Sequence, residues 1–275
     1  MMAKFIYDEG VNSISLVLLR CALSLPFLAF LGFRTQKSLR IPAKAFPSIS
    51  LMAIVGGLLT PLLLFSSYRY IASGTATIFH FIYPAVVVLL NFLFLKERFG
   101  GGRLISVLLC VLGIGLFYNP GEPLNLRGSL LALLSGVAYA AYILLLSSFR
   151  HKSVSGFVLN FYVTTISTSI LLIICLSSGQ LALPVSLQGW ALCLLFALTI
   201  NVCAAVLFQQ GTFLIGGQSS SILSTMEPIT SVFLGALLFQ EALSFRTLLG
   251  SALVIAASIL IAVFDLKSSS EPIQP

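Results

Sequence analysis

The ionisable side chains inside apolar stretches are the residues of this sequence best suited to bind or transfer a charged group. Glu227 lies about ten residues into a run of apolar and small residues, and Pro228 follows it directly. A carboxylate at membrane depth costs several kcal/mol unless it is paired, protonated or hydrated. Two interpretations stay open: Glu227 faces a cavity and binds an ammonium group or carries a proton, or it is protonated and hydrogen-bonds to a neighbouring helix.

His80 and Arg20 are the basic groups at comparable depth. His80 lies one helical turn before Pro84, and histidine ordinarily changes charge between about pH 5 and 8. It is a candidate proton relay, and the alternative is a neutral, hydrogen-bonded buried histidine. Arg20 lies about ten residues into the first apolar run, too deep to reach either surface easily. We expect it to meet an anionic substrate group or Glu227, or to form a packed ion pair between helices.

Tyrosine and amide side chains add polar groups to the same stretches. Tyr139 and Tyr142 are three residues apart and share one face of a helix. Tyr83 lies 144 residues before Glu227, a spacing that recurs along the chain. Such groups line cavities for amphipathic solutes, but most of them simply hydrogen-bond between helices. The same alternatives apply to five more residues: Asn91, Asn160, Asn201, Gln209 and Tyr162.

Catalytic and cofactor-binding patterns are missing from the sequence. It has no HExxH, GxSxG or P-loop motif, and its five cysteines lie within apolar runs without the paired spacing of a metal site. We therefore predict that the protein is not an enzyme and has neither a metal nor another cofactor. The net charge of +7 does not indicate nucleic-acid binding, because the basic residues cluster in short loops between apolar runs.

The composition is that of an integral membrane protein. Hydrophobic residues make up 58% of the chain and charged residues 8%, against roughly 25% charged in a soluble domain. Nine spans are predicted, each about long enough to cross a hydrocarbon core; they lie at 11–33, 48–69, 74–95, 102–118, 128–148, 156–177, 187–208, 218–239 and 247–265. Residues 266–275 form a polar tail.

The basic residues predict the orientation. With the C-terminus in the cytoplasm, ten of them lie on the cytoplasmic side and four on the opposite side, and the 34–44 loop contributes most to this bias. The expected location is a bacterial inner or cell membrane, with the lipid bilayer as a partner.

One long stretch of the chain occurs twice. Pro84 and Pro228, like Glu97 and Glu241, are 144 residues apart. Two copies of one helical unit are the usual plan of a secondary transporter. The first copy is expected to lack its first helix, because the counterpart of 128–148 would begin before Met1. Two explanations of this remain open: the start of the chain omits about 20 residues, or the protein lacks that helix.

The segments YRYIASGTATIFHFIYPAVVVLLNFLFLKERF, from residue 68, and FLIGGQSSSILSTMEPITSVFLGALLFQEALSF, from residue 213, resemble the paired halves of EamA-like transporters of the drug/metabolite transporter superfamily. They share a small-residue stretch, a mid-helix proline and a glutamate at the helix end. Lys96 and Gln240 stand where the family usually has glycine. The resemblance assigns 1–121 to a first repeat and 128–265 to a second.

The resemblance implies an all-α membrane bundle of two inverted repeats, with nine spans divided four and five where the family has ten. It also implies export of small metabolites or drugs around a central cavity. We expect Arg20, His80, Tyr83, Tyr139, Tyr142 and Glu227 to line that cavity, with Glu227 and His80 as proton-coupling candidates. Pro84, Pro228, Glu97 and Glu241 are expected to act in helix kinking or gating. The alternative function is a non-transporting membrane partner or regulator.

Overall fold

The computed structural model of the protein describes residues 2–95, 101–116, 125–149, 154–224, 237 and 244–270, and the regular structure of these residues is helical. In chain order the α-helices are α1 (Met2–Asp8), α2 (Ser13–Gln36), α3 (Phe46–Met52), α4 (Thr60–Ser67), α5 (Ser73–His80), α6 (Tyr83–Leu95), α7 (Gly101–Gly115), α8 (Leu126–Ser147), α9 (Gly156–Ser178), α10 (Leu187–Ala197), α11 (Ala205–Leu223) and α12 (Phe245–Ser270). A 3₁₀ turn at Ala43–Ala45 precedes α3, and π-helices at Ala53–Leu59 and Leu198–Ala204 join α3 to α4 and α10 to α11.

Six helical stretches in the described part of the chain are long and apolar enough to cross a membrane; they are Ser13–Gln36, Ala43–Ser67, Ser73–Leu90, Leu126–Ser147, Gly156–Ser178 and Leu187–Leu214. Each corresponds to one predicted span. The spans predicted at 102–118 and 247–265 correspond to α7 and α12, which contain the shorter apolar stretches Leu104–Gly115 and Leu248–Ala257. Most of the span predicted at 218–239 lies outside the described residues.

Two details differ from the predicted spans. The N-terminal residues form α1, which packs against α10 and buries Ala3 and Ile6. The helix predicted to end at residue 208 continues to Leu223. The apolar pattern ends at residue 208 because polar residues follow, but these polar residues are accommodated within the helix. Gln209 and Thr212 are both buried, and the Thr212 hydroxyl donates to the Phe208 carbonyl at 2.9 Å.

Side-chain caps define several helix ends. Asn12 accepts from Ser15 N at 2.8 Å before α2, and Ser155 and Ser186 play the same role before α9 and α10. Gly179 follows the last residue of α9, and its φ of 64° closes the helix in the left-handed conformation that glycine adopts at low cost. These caps satisfy backbone N–H and C=O groups that the helices leave without partners.

The chain forms two compact units. The first contains residues 1–65 and 145–214, and the second contains 66–144 and 215–275. Each unit therefore combines segments from both predicted repeats. In unit 1, α2 packs along α9 and also contacts α10 and the second π-helix. Leu28, Val202 and Val206 form an apolar cluster between these elements.

In unit 2, α7 packs along α12, and α6 contacts both helices. The approach of α7 and α12 is close at Gly113, where an added Cβ would lie 2.8 Å from the Gly250 carbonyl oxygen. Small residues allow helix backbones to approach in this way within a membrane. Large apolar side chains such as Phe30, Leu112 and Ile173 are more than 60% exposed, as expected for surfaces that face lipid.

Candidate functional site

The predicted span 74–95 is interrupted in unit 2 immediately before Pro84. α5 ends at His80 and α6 begins at Tyr83, so Phe81 and Ile82 separate them. Proline has no N–H and clashes with the carbonyl four residues earlier, here that of His80. The His80 carbonyl lies against Gly136 of α8, where the absence of a Cβ makes room for it. Pro84 and Gly136 together position His80 at the end of a broken helix.

The ring of His80 is held by Ser135 of α8. Their Nδ1 and Oγ atoms are 2.8 Å apart, and the Ser135 hydroxyl also donates to the Ala132 carbonyl at 2.6 Å. A serine hydroxyl has one proton. Because that proton goes to Ala132, His80 Nδ1 must be the donor toward Ser135. The hydrogen-bond network thus places a proton on Nδ1, and in the neutral ring the lone pair is then on Nε2.

Aromatic rings surround His80 in the same unit. Its ring centroid is 5.3 Å from that of Tyr139 and 5.7 Å from that of Tyr83. Tyr83 and Tyr139 meet edge to face at 4.9 Å, and Tyr142 stacks on Tyr139 at 5.9 Å. Tyr83 is completely buried. The cluster forms an aromatic surface, and aromatic faces attract cations.

Arg20 lies in unit 1, on α2. It is only 8% exposed, and its guanidinium carbon lies 5.9 Å from the centroid of the Phe65 ring. Its Nε atom is buried, and no residue that the structure describes provides it with a hydrogen-bond acceptor. A buried cation of this kind can bind an anion in a planar, two-point arrangement.

Amide side chains form a buried network in unit 1. Asn201 donates to the Arg20 carbonyl at 3.3 Å and to Ser24 Oγ at 3.0 Å. Asn160 donates to the Asn201 carbonyl, and Gln209 donates to Asn160 Oδ1 at 3.3 Å. The network fixes the backbone of α2 at the position of Arg20, and it joins α2 and α9 to the second π-helix and α11.

The two π-helices occupy equivalent places in the repeat. Their first residues, Ala53 and Leu198, are separated by nearly the same interval as the repeated prolines. Ser167 of α9 shares its hydroxyl proton between the Val163 carbonyl at 2.8 Å and the Ala53 carbonyl at 3.0 Å, while Asn201 of the second π-helix donates to α2. Each π-helix is therefore bonded to a helix of the other repeat, and π-helical segments frequently occur at functional sites.

The predicted site residues are distributed between the two units. His80, Tyr83, Tyr139 and Tyr142 lie together in unit 2, whereas Arg20 lies in unit 1. The remaining predicted positions fall outside the described residues: Glu97, Glu227, Pro228 and Glu241. Among the other polar candidates, Tyr162 packs edge to face against Phe161 at 5.6 Å.

Sequence reasoning missed Ser135, Phe65 and the π-helices. Ser135 lies four residues before Tyr139, so a helical-face argument would have placed it beside the tyrosines. Phe65 is one of 22 phenylalanines and has no distinguishing pattern. Each π-helix accepts a hydrogen bond from a side chain of α9, a tertiary contact that a sequence pattern does not display.

Comparisons with known proteins agree with this architecture. The model of the EamA-like transporter family matches residues 1–119 and 126–263. "Uncharacterized inner membrane transporter YicL" of Salmonella typhimurium is 26% identical over 234 residues, 78% of this chain and 73% of that protein. An "Uncharacterized transporter" of Archaeoglobus fulgidus is 26% identical over 260 residues, 94% of this chain and 90% of that protein. A crystal structure at 17% identity covers 97% of this chain and 93% of its own, with a TM-score of 0.65, and shares the fold.

Proposed function

Because this chain is a membrane transporter that belongs to the EamA-like transporter family, we propose that it exports small metabolites or drugs by alternating access around a central cavity between its two repeats. The observation that carries the proposal is the family match, which covers nearly the whole chain and confirms the resemblance predicted from the paired segments. The matched residues support two repeats at 1–121 and 128–265, followed by the polar tail at 266–275.

The contacts of the π-helices support a conformational cycle. In unit 1, helices of one repeat bond to the π-helix of the other, so the contacts are reciprocal, as in a two-fold arrangement. Inverted repeats alternate access by rocking one against the other around a site near the midplane. Pro84, with its counterpart Pro228, is proposed to provide the bend at a broken helix. Glu97 and Glu241, each 13 residues after one of these prolines in the sequence, are proposed to act in gating.

The proposed substrate class is based on the charged and aromatic side chains buried in the two units. Arg20 offers a buried cation in unit 1, and His80 with Tyr83, Tyr139 and Tyr142 offers an aromatic surface in unit 2. These groups suit amino-acid-like, nucleobase-like or cationic solutes. The proposal assigns no enzymatic step and no cofactor to the chain.

Protons are the proposed coupling ion, with Glu227 and His80 as the groups that exchange them. Burial disfavours the charged form of a carboxyl group, so Glu227 would exchange a proton as its exposure to water changes. The imidazole of His80 is the second group proposed to exchange a proton. Its Nε2 lone pair can take up a proton while the Nδ1–H bond to Ser135 is kept.

The protein is proposed to lie in a bacterial inner or cell membrane with its C-terminus in the cytoplasm. In unit 1, Ser155 N donates to Gln36 Oε1 at 2.9 Å, so the 34–44 loop and the start of α9 lie at one end. That end carries Arg34, Lys37 and further basic residues of the loop. Cytoplasmic loops carry such an excess of Lys and Arg.

The test is substrate flux in liposomes with an imposed pH gradient, for the wild type, Glu227→Gln and His80→Gln. Glutamine removes the titrating group of Glu227 while preserving its size and hydrogen bonding. We expect Glu227→Gln to abolish gradient-driven flux and His80→Gln to reduce it less. Unchanged gradient dependence in Glu227→Gln would contradict its coupling role. Absence of flux in the wild type, with every solute class above, would favour a non-transporting membrane partner.

A further inference from the structure

Arg20 is a buried cation whose own unit contains no acid able to neutralise it. Within 1–65 and 145–214 the acidic residues are Asp8 and Glu9. The Glu9 carboxylate accepts from Ser186 Oγ at 2.8 Å and from Ser186 N at 3.2 Å, at the start of α10. Asp8 is exposed at the end of α1. Neither carboxylate is therefore identified as the partner that neutralises Arg20, which lies two turns inside α2.

The polar groups around Arg20 do not replace an anion. The Asn160 side-chain oxygen accepts from Gln209, and the Asn201 carbonyl accepts from Asn160. Asn201 itself bonds to the Arg20 carbonyl and not to its guanidinium group. The amide network therefore fixes the backbone beneath Arg20 and leaves its Nε–H without an acceptor in the described part of the chain.

Leaving such a group without a partner carries a free-energy penalty. A buried charge is stable in a protein when it is paired and hydrogen-bonded, and an uncompensated one is strongly destabilising. The ring of Phe65 contributes a cation–π contact, which is weaker than an ion pair. An arginine can stack on an aromatic ring while the edge of its guanidinium group binds a carboxylate with two parallel hydrogen bonds.

We propose that Arg20 binds the carboxylate group of the exported solute, so that substrates of this protein carry a carboxylate. This inference rests on the proposed transport function and narrows its substrate class. Asn201 is a positioning residue, because it donates to the Arg20 carbonyl and to Ser24 Oγ, and Asn160 in turn donates to the Asn201 carbonyl.

The first experiment measures thermal unfolding of the purified protein in nanodiscs of phosphatidylcholine. The probes are the twenty amino acids, each beside its carboxamide, together with simple monocarboxylates, primary and quaternary amines and nucleobases. We expect every stabilising solute to carry a carboxylate and the matched carboxamides to be ineffective. Stabilisation by solutes without a carboxylate, or by no carboxylate at all, would overturn the assignment.

The second experiment compares Arg20→Gln, Arg20→Lys and Arg34→Gln with the wild type, using the most stabilising probe. Arg34 is a matched control, since its guanidinium carbon lies 6.0 Å from the Phe30 ring on the same helix but the side chain is exposed. Removing one partner of a buried charge pair is expected to raise the dissociation constant and KM about 30-fold or more in Arg20→Gln. Arg20→Lys should lose less, and Arg34→Gln should match the wild type. Equal binding by Arg20→Gln and the wild type would refute the proposal.

Two rival anions have their own outcomes. If Glu227 neutralises Arg20, Arg20→Gln will lose stability and Glu227→Gln in the same chain will restore it, which overturns the proposal. If a lipid phosphate occupies the site, phosphatidylglycerol will stabilise the wild type but not Arg20→Gln, and this result would also overturn the proposal. If carboxylates bind but no flux is measured, the Arg20 proposal is supported and the transport proposal fails. If flux occurs only with solutes that lack a carboxylate, the transport proposal is supported and the Arg20 proposal fails.

Discussion

Replacing Ser135 by alanine tests the protonation state assigned to His80. Ser135 Oγ accepts from His80 Nδ1–H and donates a hydrogen bond to the Ala132 carbonyl. Alanine removes only this hydroxyl and is well tolerated in a helix such as α8. The bond inside α8 is lost together with its donor, so the main consequence falls on the imidazole of His80.

The expected effect can be calculated from the orphaned donor. A buried N–H group left without its acceptor costs about 1 to 3 kcal/mol, and each 1.4 kcal/mol is a factor of ten in an equilibrium constant. The Nδ1–H tautomer should therefore become about 5- to 150-fold less favoured relative to the Nε2–H tautomer. A larger share of the rings then carries the proton on Nε2 and lacks the Nε2 lone pair that the proposed relay uses. Gradient-driven flux should fall toward that of His80→Gln.

Nitrogen-15 NMR of histidine-labelled protein in nanodiscs measures the tautomer directly. The chain has 2 histidines, so the change His151→Gln leaves a single labelled ring. Ser129→Ala is the matched control, because Ser129 is also a buried serine of α8 but makes no side-chain hydrogen bond to another described residue. Equal tautomer populations in Ser135→Ala and Ser129→Ala would show that the reasoning about Ser135 is wrong.

Two further predictions concern packing. Gly113→Ala should destabilise the protein by about 1 to 3 kcal/mol through overpacking, because its Cβ would lie 2.8 Å from the Gly250 carbonyl oxygen. In the control Gly115→Ala the added Cβ meets open space, so the stability should be unchanged or slightly higher. Thermal unfolding of the two variants measures the difference, and equal losses of stability would contradict the prediction. Asn201→Ala should cost about 1 to 3 kcal/mol by removing the donor to α2, and Cys203→Ala, at an exposed position of the same π-helix, should cost little by the same measurement.

The membrane spans were predictable because the bilayer imposes a strong rule on sequence. A spanning helix needs about 20 apolar residues, and the structure confirms spans such as Ser13–Gln36 and Gly156–Ser178. The span predicted to end at residue 208 is too short, because the helix continues through Gln209 to Leu223. Polar residues end an apolar sequence pattern even where they are buried against other polar groups. The interruption after His80 follows from Pro84, but a proline alone does not distinguish a bend from two separate helices.

The site was less predictable than the fold. Aromatic residues three apart on one helix indicated the Tyr139 and Tyr142 pair, which the structure shows stacked. The partner of His80 was not predicted, because serine occurs throughout these helices and only the packing of α8 against the α5 terminus selects Ser135. The prediction for Glu227 stays a prediction, since that residue lies outside the described part of the chain.

The π-helices show how the duplicated sequence relates to the mechanism. A π-helix bonds each N–H to the carbonyl five residues earlier. Side chains of α9 add a donor to each π-helix, because Ser167 donates to the Ala53 carbonyl and Asn160 donates to the Asn201 carbonyl. α2 and α9 are themselves counterparts in the repeat, and they pack against each other. We therefore expect a movement of α9 against α2 to affect both π-helices, because α9 donates to a carbonyl group of each.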